Sequence, residues 1–429
     1  MQETAKRLLE TIQISTSPYH TVKEAKQQLK KEKFISLDWH EDWALKRGKS
    51  YYISPFGNTL IAFRMNPGFA IADQIRIAAA HVDTPGLRVK SGAEYPYQSY
   101  KRLNVEVYGG VIYHTWLDRP LSMAGTVCLK GKDAMHPRIR HFDCKRPLFM
   151  IPGLSIHMNR EVNKGKELNP QIDLLPIGGT GKEMSNHYFT EFLARELAVT
   201  PEDIVSFDIC LYIFQQGVIC GLEEDMIAAP RIDNISSVQA CVSALLGSSR
   251  GAGIDMIVLF DHEEVGSRSK NGAAGNLLPF VLERIYENME VSRKDYIKHM
   301  VSGFMISVDT AHAINPNHPD KYDPTTYAHI NDGICIKCAS RQTYAGDCKS
   351  WAILKSLGEE SRIPCRYTYN RSDVPGGSTL GSILSAVLPM QSADIGVPVL
   401  AMHSAMETMG VQDQYYLQQF LQKYFDYQA

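Results

Sequence analysis

The 429-residue chain lacks any apolar run approaching the roughly 18 residues of a membrane-spanning helix. Its opening, MQETAKRLLETIQISTSPYH, starts an amphipathic helix and lacks the apolar core of a signal peptide. Charge of either sign is not in excess. With 45 Lys+Arg against 47 Asp+Glu the formal net charge is −2, so no global field draws the chain to nucleic acid or anionic lipid. Cysteine is sparse, odd in number at nine, and scattered, which predicts reduced, mostly buried thiols in a cytoplasmic protein. The single CxxC, Cys335–Cys338, lies in an alternating strand-like run without a second pair, so thiols packed in a strand are expected rather than a zinc or redox site. Repeats and low-complexity tracts are absent. Two common catalytic signatures fail as well. Gly376-Gly377-Ser378-Thr379-Leu380 lacks the last glycine of a nucleophile elbow. Ile177 to Glu183 has Pro176 where a P-loop begins with glycine, and Glu183 where Ser or Thr would bind magnesium.

Apolar residues make up 44% and charged residues 21%, the balance of a globular protein. The length exceeds the 250–300 residues, roughly, at which one core stops growing, so two domains or one domain with a large insertion are expected. The first ~35 residues read as two helices broken at Ser15-Thr16-Ser17-Pro18, with lysines 23, 26, 30, 31 and 33 on a solvated face. Strand-like runs KSYYISP, TLIAFRM and QIRIAAAHVD follow. The texture then becomes β-rich, with one helix at HYFTEFLAREL and a strand at IVSFDICLYIF, until about residue 221. Beyond it apolar strands and helices alternate, as in a parallel α/β sheet. The expected layout is a discontinuous α/β domain of residues 1–91 and 222–429 around a β-rich insertion of residues 92–221.

In the α/β segments one pattern recurs: an apolar run ends and metal-ligand residue types follow. IRIAAA leads into His81 and Asp83, IDMIVLF into Asp261-His262-Glu263-Glu264, FMISV into Asp309 and His312, and VPVLAM into His403. A fifth segment, Arg231-Ile232-Asp233-Asn234, opens a helix. Singly, each has a plain explanation: a polar loop start, a solvated acidic turn, or for Asp233 a helix cap. Together they predict a shared crevice, because ligands of open α/β sheets bind beyond the carboxyl ends of the strands. Imidazole and carboxylate donors suit zinc, manganese or cobalt rather than a thiolate site. Five ligand positions exceed the three of a mononuclear catalytic zinc and suit two metals sharing a carboxylate. Two adjacent glutamates then have a use. One binds metal, and its unligated neighbour takes a proton from water that the metals acidify to a pKa near 7.

The chain resembles the aspartyl aminopeptidase (M18) family of dinuclear zinc exopeptidases over nearly its full length. The resemblance is carried by AAAHVDTPGLRVK (78–90), EVYGGVIYHTWLDRPLSMAG (106–125), LSIHMNREVN (154–163), RIDN (231–234), DHEEVGSRS (261–269), SVDTAHAINPNHPDKYD (307–323), RSDVPGGSTLGS (371–382) and DIGVPVLAMHSAME (394–407). It implies a zinc-exopeptidase-like α/β fold with a central, mostly parallel mixed sheet and an inserted dimerisation domain. It implies that Asp233 bridges two metals, that His81 and Asp309 complete one site and Glu264 and His403 the other, and that Glu263 is the general base. Asp83 would orient His81. His157, from the inserted domain, would reach a partner subunit's substrate or oxyanion, or ligate metal. His312, Lys337 and Tyr344 would contact substrate, with Lys337 a counter-charge for N-terminal Asp or Glu. Dimers assembling into a dodecamer are implied too. The alternatives are an aminopeptidase of neutral residues, a dinuclear dipeptidase or deacylase, and a non-enzymatic shell protein. The intact ligand set argues against the last.

Overall fold

The computed structural model describes residues 1–68, 75–165, 167–181 and 185–428; Lys182 and Glu183 of the failed P-loop lie outside them. The chain forms two compact units, Met1–Asp83 with Gly217–Met402 and Glu407–Ala429, and Thr84–Gln216 with His403–Met406. The cuts fall before the expected 91 and 221. The strand Gly86–Glu94 pairs with Tyr100–Tyr108 and Ile204–Ile213, so its hydrogen bonds place it in the second unit.

The first unit is α/β, built on a mixed sheet of twelve strands. At its centre Ile254–Phe260, Ile75–His81, Phe304–His312 and Gln391–Leu400 run parallel in that order. Each is an almost unbroken apolar run, the composition a strand needs when both faces are covered. Period-two alternation divides them. Ala78, Ala80, Ile257 and Leu259 join one core layer with the helices Gln2–Ile14, Pro18–Lys31, Ile232–Gly247 and Val411–Asp426. Ile75, Ile77, Ala79, Met256 and Val258 face the other layer, with Leu277–Asn288, Arg293–Ser302 and Leu380–Val387. The two N-terminal helices break at the expected place, between Ile14 and Pro18. Ser17 precedes the proline there, though its hydroxyl pairs with His20 Nδ1 at 2.8 Å.

Cys335 and Cys338 are both buried, in different core clusters. Burial pushes both thiols up, Cys338 to about 11.

The second unit is antiparallel. Ile204–Ile213 pairs with Gly86–Glu94 on one side and Pro120–Leu129 on the other, closing the order into a small barrel, with Arg138–Asp143 added outside Pro120–Leu129. Its core holds Leu87, Leu103, Leu121, Ile209 and, from the helix Tyr188–Leu197, Phe189 and Leu193.

Candidate metal centre

The parallel strands end on one edge of the sheet, and the ligand-type residues sit there. His81 is the last residue of Ile75–His81 and lies level with Phe260 on its neighbour. Asp309 lies near the end of Phe304–His312. Asp233 follows Ile232, and regular helix begins only after Asn234. The Asp233–Asn234 peptide is cis. Asp233 N–H donates to Glu407 Oε2 at 3.0 Å, and Asn234 Nδ2 donates to the Val308 carbonyl at 3.0 Å.

His81, Asp233 and Asp309 present ligand atoms within 4.8 Å of one another, as do His81, Glu263 and Glu264. His81 Nε2 is 3.5 Å from Asp233 Oδ1 and 3.5 Å from Asp309 Oδ1. Its Nδ1 is 3.0 Å from the main-chain carbonyl of Asp83, which fixes the ring with Nε2 toward the carboxylates. Burial opposes a proton on His81, but its hydrogen bonds to the carboxylates of Asp233, Asp309 and Asp83 outweigh it and hold the pKa well above the usual value. The place is built for positive charge. Imidazole and carboxylate oxygens, with no sulfur, fit a borderline-to-hard divalent ion.

Asp83 has a larger task than orienting His81. Its carboxylate accepts the N–H groups of Glu263 (3.2 Å) and Glu264 (3.1 Å) and so pins the turn carrying both glutamates. Asp261 braces the same turn: its Oδ1 accepts the His262 N–H at 2.8 Å, and Asn58 Nδ2 donates to Oδ2. His262, at φ +65°, and Gly266, at φ +94°, bound the short 3₁₀ turn Glu263–Val265. Burial pushes the Glu263 carboxyl up to about 8; the His81 charge opposes this, and Asp309, Asp83 and Asp233 add to it. Burial would raise Asp309 too, but Lys337 and His81 hold it below the usual carboxylate range.

His403 directly follows Met402, the last residue of its segment of the first unit, and belongs to the second. Its φ is +68°. Its Nδ1 lies 3.0 Å from the Gly110 carbonyl, which assigns the Nδ1–H tautomer and leaves the lone pair on Nε2. A Cβ at Gly110 would approach that nitrogen to 3.0 Å, so glycine permits the contact.

The expected substrate-facing residues differ in setting. His312 ends its strand exposed. Tyr344 is buried, and Asn370 Nδ2 donates to its hydroxyl at 3.3 Å. Lys337 is only 5% exposed, and its ammonium donates to Asp309 Oδ2. His157 sits in the second unit on an exposed turn beside exposed Leu154, Ile156 and Met158. Sequence reading missed Glu407, whose buried carboxylate fixes Asp233. Its only signal was an acidic residue four positions after His403.

The buried carboxylate–imidazole cluster at the ends of the parallel strands offers the donor set of a divalent metal site. Residues 11–425 match the family model described as aminopeptidase I zinc metalloprotease (M18). A probable M18 family aminopeptidase 2 of Clostridium novyi is 40% identical over 98% of this chain and 98% of its own. Aspartyl aminopeptidase 4 of Saccharomyces cerevisiae is 32% identical over 98% of this chain and 94% of its own. Among solved structures, the cryo-EM complex of Ape4 and Nbr1 superposes at a TM-score of 0.94 and 30% identity, over 99% of this chain and 85% of that one. The S. cerevisiae mApe1 dodecamer, at 22% identity and a TM-score of 0.84 over 98% of this chain and 96% of that one, shares the fold. The chain belongs to the M18 family of zinc aminopeptidases, which hydrolyse peptide bonds.

Proposed function

We propose that this aminopeptidase uses two zinc ions and removes N-terminal residues, acidic ones preferentially. His81 and Asp309 would hold one ion, Glu264 and His403 the other, and Asp233 both. Bound there, zinc would polarise the scissile carbonyl and acidify water. Glu263 takes the water proton and returns it to the leaving amine. Asp83 keeps Glu263 and Glu264 in register by holding both their N–H groups. His157 donates to the developing oxyanion, or contacts substrate, in a partner subunit. The observation that carries the reading is the packing of His81 with both Asp233–Asp309 and Glu263–Glu264, each set within 4.8 Å.

Acidic preference is supported by the name of the yeast relative. Neutral N-terminal residues are a second reading, favoured by the burial of Lys337. Self-association through the second unit, to dimers and a dodecamer, is supported by the exposed apolar side chains of Met135 and Met158 and by the dodecamer recorded for the yeast homologue. The expected limits 1–91, 92–221 and 222–429 are moved, in the division we propose, to follow the strand pairing at both boundaries, after Asp83 and after Gln216. No helix among the described residues is long and apolar enough to cross a membrane. All nine cysteines are free, which fits a reducing, cytoplasmic setting.

Elemental analysis beside turnover of Asp-, Glu- and Leu-linked reporters tests this. Two zinc per chain, chelator sensitivity and faster Asp or Glu release are expected. Cleavage of N-blocked peptides at equal rates would instead identify a deacylase or endopeptidase.

A further inference from the structure

The first unit carries a second concavity on the sheet edge where His81 sits. Ile53 pairs with Ile61, Ile61 with Val258 and Val258 with Ala79, so Ser54, Pro55 and Phe56 leave the sheet at the level of Ala80 and His81. The cavity they border measures about 990 Å³ and is lined by the rings of Trp39, Phe56 and Phe280 and by Arg268 and Lys270. Small-ligand sites span roughly 300–1,000 Å³, so it is large enough to hold one. Phe56 and Phe280 are 39% and 49% exposed, and Lys270 Nζ stands 4.4 Å from the centre of the Phe56 ring. Among the described residues neither Arg268 nor Lys270 is in an ion pair. Asp38, a carboxylate on the same lining, already accepts the His40 N–H at 2.8 Å. The wall is braced as well. Ser269 Oγ lies 2.7 Å from His262 Nδ1, and the Asn271 carbonyl accepts the Asp261 N–H at 3.1 Å and the Thr59 hydroxyl at 3.0 Å. The cavity therefore shares a fixed loop with the turn that carries Glu263 and Glu264.

The separation is short. Glu264 and Arg268 are four positions apart, and consecutive Cα atoms lie about 3.8 Å apart, which caps the gap between their Cα atoms at about 15 Å. Counting across the sheet agrees. Three strand steps of roughly 4.8 Å, about 14 Å in all, separate Ile75–His81 from Lys49–Ile53. An extended peptide advances roughly 3.3 Å per residue, so about four residues cover the distance. Val265, 54% exposed, and Gly266, also exposed, form the surface between.

We propose that this cavity is a distal subsite for peptide substrates, binding a carboxylate about four residues beyond the cleaved bond through Arg268 and Lys270. The carboxylate comes from an acidic side chain or from the end of the peptide. The inference rests on the metal-centre reading above, which makes the turn of Glu263 and Glu264 the place of cleavage. A single-residue reporter is too short to reach the cavity.

The test measures kcat/KM of the full-length protein on amidated, alanine-rich peptides in which a single Glu, or Gln for comparison, moves outward from the third residue. Glu near the fifth residue, four beyond the cleaved bond, should raise kcat/KM about three- to fivefold over Gln, the yield of an exposed ion pair, and high salt should erase the gain. Peptides of increasing length with a free C-terminus test the other source. Their terminal carboxylate should give a similar gain at the length that brings it to the same place. Arg268→Gln combined with Lys270→Gln should abolish either gain and lower the ratio of peptide to Asp-linked reporter turnover by the same factor. Both side chains are exposed, so the double variant is expected to fold. A gain that ignores position, or none at any position, would overturn the inference. So would a double variant that loses equally on reporter and peptide, because the cations would then support the turn and not the substrate. An N-acetylated acidic tetrapeptide that speeds the Asp-linked reporter when added separately would make the cavity an effector site and also overturn it. If neither reporters nor peptides are cleaved, the metal-centre reading itself falls and takes the subsite with it.

Discussion

The two units place their functional candidates in opposite ways. In the α/β unit His81, Asp83 and Asp233 are almost wholly buried at strand ends and helix starts, and each is gripped by a second polar group. In the antiparallel unit His157 rides an exposed turn among exposed apolar residues. Groups that must hold a charged ion at fixed spacing gain from rigid elements and a dry setting. A group that serves a neighbouring molecule has to stand out in solvent. On the proposed roles, the contrast separates His81, Asp83 and Asp233, held inside the first unit, from His157, exposed on the second.

The largest test of that contrast is Glu263→Gln. It should lower kcat by about 10³-fold, in the range of lost proton transfer, with zinc content unchanged. Activity above a few per cent would remove Glu263 as base. His157→Ala should cost about 10²-fold in kcat, the size of one lost oxyanion donor, again with full zinc. Mixed oligomers of the two variants should regain activity, because intact partners meet across subunits. If they do not, His157 serves its own chain. A smaller effect concerns pH. His81 holds a proton above its usual pKa, and that proton must leave when a cation binds. Zinc affinity should therefore rise as pH rises through neutrality, by about tenfold per unit for one displaced proton. Calorimetry in two buffers of different ionisation heat counts the proton, and a pH-independent affinity would refute the charge picture. Smallest is Met158→Ser. At 78% exposure it should change unfolding free energy by less than about 0.5 kcal/mol. It should still shift the oligomer distribution in light scattering, if this turn is a contact surface.

Much of the first unit was legible because its signals are local. Apolar runs such as IRIAAA mark strands buried on both faces, and the residue after each run falls at the sheet edge where ligands collect. That reasoning predicted one crevice for the segments of His81, Asp233, Glu263, Glu264, Asp309 and His403, while the choice of individual ligands came from the family resemblance. The braces were not legible. Asn58 grips Asp261, Glu407 grips Asp233, and Asp83 grips a turn some 180 residues away. These depend on which strands become neighbours, and periodicity carries no such information. Lys337 shows the same limit: its sequence neighbourhood reads as a strand edge, whereas the fold surrounds its ammonium with Asp309, Tyr344 and the strand bearing Asp394.

The closed ring of the antiparallel unit has one further consequence. Among the described residues Arg138–Asp143 pairs with a single neighbour, so its outer backbone groups could template aggregation with stray strands. Arg138, Arg140 and His141 on it are exposed and basic or ionisable, and like charges repel a second copy that approaches edge to edge. A molecule with exposed apolar turns can thereby stay choosy about how it sticks.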